Sequence, residues 1–259
     1  MGFKSLLRPF VNSELGMLLR NELDIRPIRH NLPSKSGLSF SDLHYWRVSA
    51  DFETKFLMTD VVSEYLGVES ARYFLTFLDS NGRVIFKKEL EKRGGGCEQI
   101  IDSKFLGIES GHGTFYVTLI CADAADMDLP CSLKNRWYCG YRGAKGPFSM
   151  VHGNTLVAWN SLDGASEGIG VTKSTIFRRF SYYLQVDPTT YDRVELVFVN
   201  PCARQVRVEF VGSVFILPPL GVVTVETSIK TKMSFRSNCA FLRPTVIGIK
   251  NDFIDCFHG

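Results

Sequence analysis

The chain has 259 residues, 45% hydrophobic, 12% aromatic and 22% charged. That gives room for two compact domains or one large β domain with sizeable cores, and it excludes a disordered tail. A formal net charge of +3 is too small to imply nucleic acid, which is not an expected partner.

The seven cysteines (97, 121, 131, 139, 202, 239 and 256) form no CxxC pair. Structural zinc wants closely spaced pairs, so no metal and no cofactor are expected. A Cys131–Cys139 disulfide across a hairpin is the alternative use of two of them. Arg8, Pro9 and Glu14 interrupt Met1–Arg20, leaving no apolar core for a signal peptide. No apolar run is long enough to span a membrane. The expectation is a cytoplasmic chain with reduced, mostly buried thiols.

Residues 1–38 read as an N-terminal helical or extended segment. Ser5–Leu7 and Glu14–Leu23 suit short helices, with Leu15, Leu18, Leu19 and Leu23 at helical spacing and packed across a sheet edge. Leu32–Gly37 reads as a connector.

Residues 39–125 form the first predicted β unit. Ser41–Arg47 is dense in functional groups just ahead of its sheet, with an Asp42–Arg47 ion pair as one reading. Val48–Thr54 and Lys55–Thr59 have strand character. Asp79–Gly82 between the apolar runs Tyr73–Leu78 and Arg83–Leu90 signals a hairpin, because Asn-Gly supplies positive φ angles. Arg93–Gly96 lacks the Lys-Ser/Thr of a phosphate loop. Gly111-His112-Gly113 reads as a turn before the strand Thr114–Ile120.

Residues 126–172 read as an insertion. Asn135–Arg142 and Phe148–His152 suit a hairpin, Thr155–Trp159 a further strand, and Asp163–Gly170 a Gly-rich loop. Residues 173–259 form the second β unit, ending in a short tail, Lys250–Gly259. Between Lys173 and Lys250, 11 Lys/Arg face 5 Asp/Glu, which gives this unit a preference for anions. Arg207 and Glu209 share one strand face, and Lys230 and Lys232 project together.

The two units share a rhythm. Val194–Phe198, Gln205–Val211, Ser213–Leu217 and Gly221–Glu226 repeat the succession Tyr73–Leu78, Arg83–Leu90, Glu98–Asp102 and Thr114–Ile120. The spacing is about the length of an immunoglobulin-type sandwich. The expected fold is therefore all-β, with tandem immunoglobulin-like β-sandwich units after a short helical N-terminal segment.

The insertion concentrates the candidate ligand-binding residues Trp137, Tyr141, Arg142, His152, Asn154 and Trp159. Aromatic faces stack on sugar rings, Arg meets negative charge, and His and Asn supply directional hydrogen bonds. Alternation places Arg136, Tyr138 and Gly140 on one strand face and Trp137, Cys139 and Tyr141 on the other. No GxSxG or cysteine-nucleophile signature occurs, so no catalytic residue is assigned. The leading expectation is a non-catalytic binding or assembly protein for a carbohydrate or other polar anionic ligand, at the domain junction. One alternative is an enzyme with an inter-domain site using His152 as general base or metal ligand, with His44 or His258 as partner. Another is a self-assembling structural β protein, such as a viral shell component, forming a homo-oligomer.

Overall fold

The computed structural model describes residues 10, 13, 15, 16, 19, 22, 23, 38–92, 95–120, 137–160, 166–170, 174–184, 186–202, 204–227, 233–240 and 242–259. In chain order come β1 (Leu38–Val48), β2 (Glu53–Thr59), helix α1 (Val61–Leu66), β3 (Arg72–Asp79), β4 (Val84–Glu89) and β5 (Gly96–Ile101). The single-turn helix α2 (Ser103–Leu106), β6 (Gly111–Ile120), β7 (Tyr138–Arg142), β8 (Ser149–Val151), β9 (Asn154–Asn160) and β10 (Ser166–Gly170) follow. The remainder is β11 (Phe180–Leu184), β12 (Arg193–Val199), β13 (Val206–Phe210) and β14 (Ser213–Leu217). After these come β15 (Val222–Thr227), β16 (Met233–Ser237), β17 (Thr245–Lys250) and β18 (Phe253–His258).

The strands form four antiparallel sheets: β10-β9-β1-β6-β3-β4, β5-β2-β7-β8, β11-β16-β13-β14 and β15-β12-β17-β18. Alternation sorts the side chains of each strand onto opposite faces. In β13, Val206, Val208 and Phe210 point into the core while Arg207 and Glu209 point out; Met233 and Phe235 of β16 repeat the pattern. Strands β3 and β6 are apolar on both faces and lie inside the six-stranded sheet.

Two apolar clusters hold the sheets together. The first joins Leu43, Trp46, Phe56, Tyr73, Phe77, Phe115, Trp137 and Tyr141 from the first two sheets. The second joins Val206, Val208, Phe210 and Phe235 of the third sheet to Val194, Leu196, Phe198 and Val246 of the fourth. The fourth sheet serves both, since Val197, Val199, Val222 and Ile247 point back into the first cluster. Each such buried side chain contributes about 1.5–3 kcal/mol. The chain is all-β as expected. The fourth sheet packs against both clusters and is shared between them.

Local chemistry explains the connections. In the β3–β4 turn, Asp79 Oδ1 accepts from the backbone N–H groups of Asn81 and Arg83, both at 2.9 Å. Only Gly82 takes a positive φ, at 77°, so an aspartate-led turn replaces the Asn-Gly geometry expected. Asp60 caps α1 by accepting from Ser63 N at 3.0 Å, and Gly67 ends the helix at φ 65°.

Several expectations are corrected. Ser41–Arg47 lies within β1, not ahead of the sheet. Gly111-His112-Gly113 opens β6 rather than forming a turn; a Cβ on Gly113 would sit 2.0 Å from the Leu78 carbonyl oxygen. Part of the Gly-rich loop is strand β10. The supposed tail is β18, paired with β17 through Asn251 and Asp252 at φ 51° and 68°, and its Ile254 and Cys256 are buried. At the N-terminus Phe10, Leu15, Gly16, Leu19 and Glu22 are helical, but Leu15, Leu19 and Leu23 are exposed rather than packed. Ser5–Leu7, Leu18, Leu32–Gly37, Arg93, Gly94, Cys131, Arg136, Lys230 and Lys232 lie outside the described residues.

The two predicted copies share one strand pairing and differ in the others. The first and last strands of each copy pair antiparallel, β3 with β6 and β12 with β15. The middle strands differ: β4 pairs with β3, while β13 and β14 pair with each other in a separate sheet. Among the described residues, no helix is long and apolar enough to cross a membrane.

Candidate functional site

The predicted hairpin forms, with Cys139 opposite Val151 and Tyr141 opposite Ser149. Its two faces have unlike fates. Trp137 is buried, donates from Nε1 to the Thr59 carbonyl at 3.1 Å, and meets Phe56 and Tyr73 edge-on with ring centres 6.0 Å away. Tyr141 is buried and donates its hydroxyl to the Tyr45 carbonyl at 2.9 Å; burial drives its pKa well upward. Neither ring is open to a ligand. The side of β7 carrying the larger apolar area faces the core, since burial rewards area.

The outward face carries Tyr138, Arg142 and their neighbours. Tyr138 is exposed and its ring lies tilted against His152 with ring centres 4.1 Å apart. His152 Nδ1 donates to the Trp137 carbonyl at 3.1 Å, which fixes the tautomer, and lies 3.9 Å from the buried carboxylate of Asp42. Arg142 pairs with Glu53 and covers the Phe148 ring at 4.6 Å. Asn154 is buried and accepts from Arg243 N at 3.4 Å. Trp159 lies in β9. Of the five predicted residues whose side chains are described, Arg142 and His152 reach the surface, as does Tyr138, which is not among the predicted six.

His44 is fully buried, stacked on Phe115 at 5.0 Å and edge-on to Phe56 at 5.5 Å. Arg47 pairs with Glu195 at 2.9 Å, not with Asp42. Among the described residues, no three or more His, Cys, Asp or Glu side chains gather as a metal site.

A cleft of about 710 Å³ opens between the β1–β2 turn (Val48–Glu53) and the α2 region (Asp102–Glu109). Its wall carries Glu53, Asp102 and Glu109 against Lys104, a lining richer in negative than positive charge.

The arginine cluster lies elsewhere, on the outer face of β11-β16-β13-β14. Arg207 and Glu209 are two apart on β13, and Arg236 of β16 stands directly across from Glu209. Arg179 approaches from the chain entering β11. The Glu209 carboxylate lies 2.9 Å from Arg207, 3.9 Å from Arg236 and 4.0 Å from Arg179. Three guanidinium groups thus converge on one carboxylate, an excess of two positive charges held on a rigid sheet. Arg236 retains 60% and Arg207 42% side-chain exposure.

Tyr183 shares that face and is 78% exposed, opposite Ser234 in register. Val214 and Ile216, opposite Glu209 and Arg207, are also exposed. This face therefore carries both an exposed aromatic ring and the arginine cluster. Sequence alternation gave the Arg207–Glu209 face; the strand pairing that adds Arg236 has no local sequence signal. No protein-family model, curated protein sequence or solved structure matches the chain.

Proposed function

We propose that this chain is a non-catalytic binding protein for anionic carbohydrate, a sugar carrying sulfate, phosphate or carboxylate groups, recognised on the outer face of β11-β16-β13-β14. The observation that carries the reading is the convergence of Arg179, Arg207 and Arg236 on the single Glu209. Guanidinium forks match planar and tetrahedral oxyanions bidentately, and an anion relieves the mutual repulsion of the three cations. The exposed Tyr183 ring offers a stacking face for the sugar. The scaffold that goes with this reading is a pair of immunoglobulin-like units, 39–125 and 173–259. The like pairing of β3 with β6 and of β12 with β15 supports it.

The test is calorimetry with a sulfated polysaccharide, its desulfated counterpart and a single-stranded oligonucleotide. Sulfate-dependent binding, weakened at least about tenfold in Arg207→Ala/Arg236→Ala with the fold retained, supports the proposal. Equal binding by the double variant, or a preference for the oligonucleotide, overturns it.

A further inference from the structure

Cys202 and Cys239 lie 37 residues apart in sequence, yet their Sγ atoms are 3.5 Å apart. Both side chains are fully enclosed. Cys202 follows the end of β12, with its N–H held at 2.8 Å by Asn200 Oδ1. Asn200 is anchored in turn by donating to the carbonyls of Arg204, Leu217 and Pro218. Cys239 follows β16, with its N–H held at 3.1 Å by Ser237 Oγ. These bonds hold the two backbones beside each other, with a sulfur separation of 3.5 Å against the roughly 2.05 Å of a disulfide.

We infer that Cys202 and Cys239 are a modification site, a dithiol that a small-molecule disulfide oxidises to an intramolecular Cys202–Cys239 bond. One thiolate attacks the small disulfide, forming a mixed disulfide and releasing one small thiolate. The second cysteine thiolate then attacks the protein sulfur of the mixed disulfide, forming the protein bond and releasing the other small thiolate. The two protons lost by the cysteines end on the two small thiols, and two electrons pass to the oxidant.

The hydrogen bond to Cys202 and burial hold the Cys239 thiol well above its ordinary range, so the reaction quickens with rising pH and waits on local opening. The bond would close a loop running from Cys202, just after β12, through β13, β14, β15 and β16 to Cys239. That loop contains Arg207, Glu209 and Arg236, and closing it restricts the unfolded chain. This inference stands independently of the ligand proposal.

The experiment is incubation of the folded protein with oxidised glutathione at pH 8.5, followed by non-reducing peptide mapping and thermal unfolding. The expected result is one cross-linked peptide pair, Cys202 with Cys239, a loss of two hydrogens in intact mass, and a rise in Tm on the order of 5–10 °C. Dithiothreitol reverses all three, and Cys202→Ala abolishes the cross-link. The mapping needs no variant, so a poorly folding Cys202→Ala does not blunt the test. Stable glutathione adducts, a different cysteine pair, or a bond that lowers Tm overturns the inference.

Discussion

The guanidinium of Arg47 on β1 reaches the carboxylate of Glu195 on β12 at 2.9 Å, joining residues 148 apart in sequence. Arg193 approaches the same carboxylate at 3.1 Å from its other side. Glu195 is almost wholly buried, while Arg47 is partly exposed and covers the Phe52 ring at 4.7 Å. A buried charge left without one partner costs more than the pair contributes when intact. Arg47→Ala is therefore expected to lower unfolding free energy by about 2–3 kcal/mol in urea. A double-mutant cycle with Glu195→Gln should give a coupling above about 1 kcal/mol. Additive losses would show that Arg47 acts only through its packing on Phe52.

Asp60 is a buried carboxylate whose surroundings make stability sensitive to acid. Its burial favours the neutral acid, but hydrogen bonds from Ser63 and Tyr73 and the nearby Lys92 outweigh that and hold its pKa below the ordinary value. With the folded pKa depressed, the stabilisation is complete above the unfolded value of about 4 and is lost as pH falls through the lower folded value. Asp60→Asn should be less stable than wild type at pH 7 by about 1–3 kcal/mol. The gap should narrow below about pH 4. A gap constant from pH 7 to pH 2.5 would remove the ionic part of this account.

The balance between what sequence made legible and what it did not follows from how far each signal reaches along the chain. Period-two alternation is local and marks β3, β7 and β13, while the Asp79–Gly82 turn is legible from its residue types. Which face of β7 is buried depends on what packs against it, so Trp137 and Tyr141 were read as surface candidates although the alternation itself was right. Arg207 and Glu209 were legible as one face, being two residues apart. Arg236 joins them only through the β13–β16 pairing, and Arg179 only through the approach to β11. The terminal strand β18 is not legible in the sequence because Asp255, His258 and Gly259 look like a solvated end. Its partner β17, which makes Ile254 and Cys256 core residues, could not be read from them.

Backbone strain marks a site where stability can be raised. Val211 and Gly212 join β13 to β14 with φ of 50° and 75°, the double positive geometry of a tight hairpin turn. A β-branched residue is poorly suited to that region, and Val211 is 62% exposed, so its side chain returns little through burial. Val211→Asn should raise stability by about 1 kcal/mol, seen as a higher urea midpoint at unchanged slope. A neutral or lower midpoint would show that the Val211 side chain makes contacts that offset its backbone cost.

Glu209 separates a structural arginine cluster from one that binds. If the carboxylate serves mainly to hold three guanidinium groups together, Glu209→Gln should destabilise the third sheet and change binding little. If the cluster recognises an anion, Glu209 is a competitor built into the site, and its removal leaves three uncompensated cations around the same spot. With the carboxylate 2.9–4.0 Å from its neighbours, its charge lies well inside the roughly 8 Å screening length of physiological salt. Glu209→Gln should then bind a sulfated polysaccharide about five- to tenfold more tightly in low salt. The gain should shrink as salt approaches 0.5 M, where the screening length falls to roughly 4 Å. Stability should fall by no more than about 1 kcal/mol, as expected for a partly exposed ion network. Calorimetric titration at three salt concentrations, alongside urea unfolding of the same samples, separates the outcomes. Weaker binding with retained stability would show that Glu209 positions the arginines for the ligand rather than competing with it.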